Sequence, residues 1–396
     1  MGESLITRRA GAGGGEATIT FENYSHATNL ALTGASALSS ARRELSGTSV
    51  GEYALFAGGF ADSGNSSTVD AYNTSLTRST PTALSVARTY LSGASVGEYA
   101  LFAGGVIGGS FSPTVDAYNT SLTRSTPTAL SVARGYLSGA SVGEYALFAG
   151  GTGSIYLTTV DAYNTSLTRS TPTALSVGRT YLSGASVGEY ALFAGGTSGS
   201  YSTTVDAYNT SLTRSTPTAL SEARGYLSGA SVGEYALFAG GFANSSYYST
   251  VDAYNTSLTR STPTALSEAR RYLSGTSVGE HALFAGGVID SSNFTTVDAY
   301  NTSLTRSTPT ALSVARRNPS GASVGKYALF AGGYGNSGNS SKVDVYYGTL
   351  AISSFPGTKY KLNTMGQEAT STSFETLFFS TPVNGYMKIQ NATLQN

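Results

Sequence analysis

The sequence predicts an all-β chain built as a seven-bladed β-propeller of four-stranded antiparallel blades. Three observations carry this expectation. The phrase Tyr-Ala-Leu-Phe-Ala-Gly-Gly begins at Tyr53, Tyr99, Tyr145, Tyr190, Tyr235 and Tyr327, and recurs with histidine in first place at His281. The starts fall 45 or 46 residues apart. Each period holds several short strand patterns, and a unit of that size cannot bury its apolar face alone, so the copies must stack on one another.

The second unit serves as the pattern. Arg88–Val96 predicts a first strand, in which Gly93, Ala94 and Ser95 suit a crowded position. Tyr99–Gly105 predicts a second strand, apolar on both faces as a strand sandwiched between neighbouring sheets must be. Gly104 and Gly105 permit a sharp exit or a close backbone approach. Val115–Asn119 predicts a third strand, with Val and Tyr favoured on a pleated surface. Asn119-Thr-Ser121 carries turn chemistry. Leu122–Leu130 predicts an outer fourth strand, where Pro127 is tolerable only at an edge or near an end.

These residues carry a resemblance. Each unit resembles a kelch repeat: Leu and Arg precede an apolar strand, a double glycine ends the second strand, and Val and Tyr follow. Gly58-Gly59, Tyr72 and Arg88 carry the pattern in the first full unit, and Gly104-Gly105, Tyr118 and Arg134 in the next. The resemblance spans residues 29–347. The chain departs from it in having no tryptophan, with Leu76 and Arg78 in the region where kelch units usually place one. Kelch propellers are mostly interaction domains with a minority of enzymes, so the resemblance implies binding.

Seven first, second and third strands can be counted, but only six outer strands have the Leu-Thr-Arg-Ser-Thr-Pro-Thr-Ala-Leu form. Leu30–Leu38, followed by Ala41-Arg42, aligns with Leu76–Leu84 followed by Ala87-Arg88. The N-terminal side is therefore expected to donate the seventh outer strand, with Leu350–Phe355 as the alternative. The expected organisation is a Gly-rich N-terminal extension over 1–28, the propeller over 29–350 and a β-rich C-terminal module over 351–396. Within the last, Ser371–Ser380 and Gly385–Ile389 predict a hairpin.

Strand directions alternate within a blade. The loop between strands two and three therefore shares a face with the connection to the next blade, and the other two turns lie opposite. The opposite turns are nearly invariant, as Val-Gly-Glu and Asn-Thr-Ser. Sequence difference gathers on the first face. Its expected ligand-binding residues are Phe60, Phe111, Tyr156, Tyr201, Phe242, Tyr247, Tyr248, Phe294 and Tyr334 in the loops. Glu222, Glu268, Arg271 and Arg317 join them from the connections. Stiff aromatics among Ser, Gly, Asn and Thr make a paratope-like mixture that also suits stacking on sugar rings. Tyr247 and Tyr248 are expected to be exposed, as are Glu144 and Glu189 on the constant face.

Composition excludes several functions. Lys plus Arg and Asp plus Glu both number 23, giving no net charge and no basic stripe for nucleic acid. Cysteine is absent, which removes thiolate chemistry and disulfides. No stretch is long and apolar enough for membrane insertion. The N-terminus lacks the apolar core of a signal peptide, so the expectation is synthesis in the cytoplasm, with a virion or the extracellular space after lysis as the destination. Catalytic provision is thin. The histidines are His26 and His281, and no metal-ligand cluster is visible. Asp70 and its six copies are expected to pair with a repeated arginine, and the Arg88 set to clamp blades. The reading is a non-enzymatic recognition protein without cofactor or metal. Its partner is a cell-surface glycan or protein, with a virion or assembly partner through the termini. The alternatives are a spacer without its own ligand and a propeller enzyme acting on polysaccharide.

Overall fold

The computed structural model describes residues 17–20, 28–350 and 359–362. It divides into two units, Asn29–Thr349 and a smaller one from the two ends. In the smaller unit Ala17–Thr20 pairs antiparallel with Lys359–Leu362. The expected hairpin over 371–389 lies outside the described residues.

The larger unit is a β-propeller of seven four-stranded antiparallel sheets. In the second sheet the order is Ser92–Val96, Tyr99–Ala103, Val115–Asn119 and Arg124–Ser125 from inside to outside. The first strand is shorter than expected, because Arg88 turns inward as a buried side chain instead of extending the ladder. The fourth is two residues long rather than nine. Leu122 adopts a left-handed backbone (φ 59°), and the amides of Ser121 and Thr123 bond the side-chain oxygen of Asn119, so the chain is still turning where strand was expected. The seventh sheet takes its outermost strand from Thr28–Gly34.

The core lies between blades. One face of the second strand sends Leu101 and Ala103 toward Phe148 and Tyr163 of the next blade. The other sends Ala100 and Phe102 toward Leu55, Ala57 and Val69 of the blade before. This is why the strand reads as apolar on both faces. Each blade is also stitched to its neighbour by polar bonds. The Tyr118 hydroxyl donates to the Thr82 carbonyl at 2.7 Å, and the Gly59 amide donates to the Arg88 carbonyl at 2.9 Å.

The inner strands meet around a central channel, the seventh against the first. Glycine is required there by space. A Cβ on Gly139 would stand 2.4 Å from the Gly93 carbonyl oxygen, and one on Gly229 2.3 Å from that of Gly184. Serine hydroxyls tie the same strands together, with Ser141, Ser186 and Ser231 each donating at 2.6 Å to the carbonyl of the serine one blade back.

Seven buried ion pairs join the first-strand region of each blade to its third strand. Arg42–Asp70, Arg134–Asp161 and Arg316–Asp344 meet at 2.7 Å, with the arginines fully buried. Each arginine also donates to the second-strand carbonyl of its blade, as Arg134 does to Phe148 at 3.0 Å. The aspartate further accepts from the connector of the preceding blade, as Asp161 does from the Ser131 amide at 3.1 Å.

The constant turns touch each other across blades. A Cβ on Gly97 would meet the Thr165 methyl at 3.0 Å, and Gly143 stands in the same relation to Thr210 at 2.9 Å. Packing therefore constrains the glycine and threonine of most of these turns. The Asn side chains of the Asn-Thr-Ser turns are occupied in the same structure, holding the turn closed.

Candidate functional site at the channel mouth

The connections and the loops between strands two and three do share one face. Thr89 in a connection bridges Val106 at the start of the loop, and Arg43 bridges Phe60 in the same way. The loops are more ordered than their Ser and Gly content implies. Several form two-residue hairpins, such as Val106–Ile107 with Ser110–Phe111 and Phe242–Ala243 with Ser246–Tyr247.

The expected site residues separate into two groups in space. Most loop aromatics are half-buried and are packed on neighbours, not presented as an open paratope. Phe242 lies against Arg271 at 4.4 Å and Tyr247 at 5.1 Å, with Tyr201 at 6.0 Å. Phe60 and Tyr334 both lie against Arg43, at 4.7 and 5.0 Å. Tyr247 and Tyr248 are half-buried where exposure was expected. The Tyr247 hydroxyl is engaged with Asp290 of the next blade, and Arg270 bonds the Tyr248 carbonyl at 3.1 Å. Phe111 and Phe294 are half-buried as well. Tyr156 does stand exposed, at 44%, beside Ile155. Glu222 and Glu268 accept hydrogen bonds from Thr250 and Thr296 and so tie connections to loops.

The second group contains Arg271 and Arg317, which line a hollow of about 280 Å³ with Glu44, Tyr90, Tyr181, Tyr272, Val288, Asp290 and Asn318. Its rim is a ring that sequence reasoning missed. Between each buried arginine and the first strand lies one residue with a left-handed backbone: Glu44, Tyr90, Tyr136, Tyr181, Tyr226, Tyr272 and Asn318, with φ from 50 to 58°. The first strand runs from this face toward the constant turns, so the seven residues encircle the channel mouth on the variable face. Their backbones bond around the ring, from the Tyr136 amide to the Tyr90 carbonyl at 3.1 Å and on to Asn318. The five tyrosine rings contact in succession, with centroids 4.1, 4.9, 4.2 and 5.0 Å apart. The signal was present in the sequence: the position before Leu-Ser-Gly is Tyr in five units and Glu44 in the first, and Asn318 precedes Pro319-Ser-Gly in the last.

Burial governs the acidity of this ring. It pushes the Tyr226 hydroxyl up to about 12 and raises Tyr90, with the neighbouring Glu44 carboxylate raising it further. Tyr272 is raised by burial, with Arg271 and Arg317 opposing. The third-strand tyrosines, such as Tyr118, are raised first by burial and then by the neighbouring aspartate. The folded chain thus keeps protons that an unfolded chain releases near pH 10. Its stability is fully present below that pH and falls as pH rises past it, for Tyr226 between about 10 and about 12. Urea midpoints at about pH 8 and about pH 11 should show a clear drop, with the absorbance of the buried tyrosines appearing together with unfolding. Equal midpoints would mean that the buried hydroxyls titrate freely in the folded state.

Elsewhere, His281 is buried in the place of a repeat tyrosine, and desolvation lowers its pKa. His26 lies outside the described residues. Among the described residues there is no group of His, Asp and Glu placed to hold a metal ion, and no helix is long and apolar enough to cross a membrane.

The molecule is therefore a β-propeller with an aromatic-rimmed channel mouth. No protein-family model and no curated protein matches the sequence. Solved structures do match, 562 chains in all. One described as "Structure of YjhT" aligns with a TM-score of 0.56 at 11% identity, covering 70% of this chain and 99% of that one. Likeness at that identity concerns the propeller fold alone.

Proposed function

We propose that the chain is a kelch-type propeller that works by binding, with the tyrosine-rimmed channel mouth as its recognition site and a cell-surface glycan as its ligand. One observation carries this reading. Five tyrosines occupy left-handed backbone positions at the mouth. Such a conformation costs a non-glycine residue about 1 kcal/mol or more, and glycine would adopt it freely. Strain of this kind persists where the side chain is needed. Here three of the amphipathic rings, those of Tyr90, Tyr181 and Tyr272, line a hollow of about 280 Å³. That is a suitable floor for a sugar ring, whose apolar face stacks while its hydroxyls reach the Glu44, Asp290 and Asn318 side chains around it.

A comparison of two double variants on a glycan array tests the reading. Tyr136→Gly with Tyr181→Gly removes two rings and relieves two strained backbones. Melting should fall only in part, because that relief offsets some of the stacking lost across three ring contacts, about 0.5–1.5 kcal/mol each. Binding should fall sharply, since few aromatic anchors commonly carry most of an interface. Glu144→Gln with Glu189→Gln alters exposed residues of the constant face and should leave binding intact. Loss with the glutamate pair alone would place the site on the other face.

A further inference from the structure

Sixteen arginines belong to the described propeller, and fourteen of them lie within 4 Å of a carboxylate. The two without such a partner among the described residues are Arg271 and Arg317, and both line the hollow at the channel mouth. We propose that these two guanidinium groups form an oxyanion site, so that the ligand is an acidic glycan carrying carboxylate or sulfate groups. The proposal rests on the channel mouth being the recognition site.

The acids lining the same hollow offset the pair only in part, since Glu44 is matched by Arg43 and Asp290 stands against two cations. Glu44 accepts from Arg43 at 3.3 Å and from the Thr89 hydroxyl at 3.1 Å. Asp290 accepts from the Tyr247 hydroxyl at 3.2 Å. Glu44 has its own cation, Asp290 meets neither guanidinium within 4 Å, and neither guanidinium has a hydrogen-bond acceptor among the described residues. Aromatic contact holds both cations in place. Arg271 lies 4.4 Å from the Phe242 ring centroid and 5.1 Å from that of Tyr272, and Arg317 lies 4.8 Å from that of Tyr334. Arginine stacked on a ring keeps its planar fork of donors free, which is the geometry that carboxylates and sulfates match.

Position in the repeat supports the same conclusion. The residue after the buried arginine is Thr89, Gly135, Thr180 and Gly225 in blades two to five. It becomes Arg271, Arg317 and Arg43 in the three adjacent blades that close the ring. Of these only Arg43 carries its own counter-ion, Glu44. The copies are otherwise nearly uniform, so an arc of three arginines ending in two free ones is a local departure at the hollow itself.

Binding of the full chain to four probes tests the proposal: heparin for sulfate, polygalacturonate for carboxylate, dextran as a neutral polysaccharide and polyglutamate as an acidic peptide. At least one acidic polysaccharide should bind, more weakly as salt rises. Arg271→Gln with Arg317→Gln should weaken it roughly tenfold or more, as removal of charge-assisted bonds does. Arg271→Lys, which keeps the charge and much of the stem, should retain part of the affinity and controls for packing damage. No acidic polysaccharide bound, or equal binding by the double glutamine variant, would overturn the proposal. So would polyglutamate bound more tightly than both polysaccharides. A neutral glycan lost with the tyrosine variants but kept by the arginine variants would overturn the oxyanion site while leaving the recognition site standing. Glycan binding indifferent to the tyrosine variants would remove the recognition site itself.

Discussion

Asp161→Ala should destabilise the propeller by about 3–5 kcal/mol, the usual penalty for removing one partner of a buried ion pair. Asp161 and Arg134 are both fully buried and meet at 2.7 Å. The aspartate also accepts from Arg169 at 2.9 Å and from the Ser131 amide and hydroxyl at 3.1 Å. Alanine would strand the guanidinium charge away from water and release a connector, a first-strand arginine and an outer strand together. Replacing both partners by leucine should recover much of the loss, because the expensive state is the lone charge and not the absence of the pair. Denaturant unfolding of the three variants measures this. A single-variant loss under about 1 kcal/mol would mean that water reaches the pair and that it does not clamp the blade.

Phe102→Ala should lose a comparable amount, about 3–5 kcal/mol, through the cavity left behind. The ring is fully buried between the first two blades, edge-on to Tyr118 at 6.1 Å and packed with Leu55, Val69 and Leu84. Neighbouring backbone cannot collapse into the gap without shifting a whole blade. Ile155→Ala is the matched control. Ile155 is 67% exposed on the variable face, so its loss should stay within about 0.5 kcal/mol. Similar effects from both would mean that the interblade packing has been misread.

Period and strand pattern made the propeller legible, because a 45- or 46-residue unit with one doubly apolar strand has few ways to bury it. The short fourth strand was harder to read. Leu122 and its copies look like strand formers, but each adopts a left-handed turn held by the preceding asparagine. Ser and Gly dominate the loops, and hydrogen bonds to the neighbouring connection order them into hairpins. The contrast between constant and variable faces was visible, but its cause was not: only the glycine-to-threonine contacts across blades reveal that packing constrains most turns of the constant side. The proposed recognition site therefore rests on what the variable face carries. Aromatic loop residues drew attention there, whereas the tyrosines before Leu-Ser-Gly passed as ordinary strand residues. Their importance is conformational, and a left-handed backbone at Tyr90 or Tyr181 leaves no mark in composition.

Ligand held at the tyrosine-rimmed mouth, as proposed, should protect that mouth from exchange. Hydrogen exchange of the full chain, with and without a saturating array-identified glycan, tests it most directly. Added protection is expected in peptides containing Tyr90, Tyr136, Tyr181, Tyr226 and Tyr272, together with Arg271 and Arg317, and none in the Val-Gly-Glu turns. Protection confined to those turns or to the outer strands, with the tyrosine peptides unchanged, would contradict it.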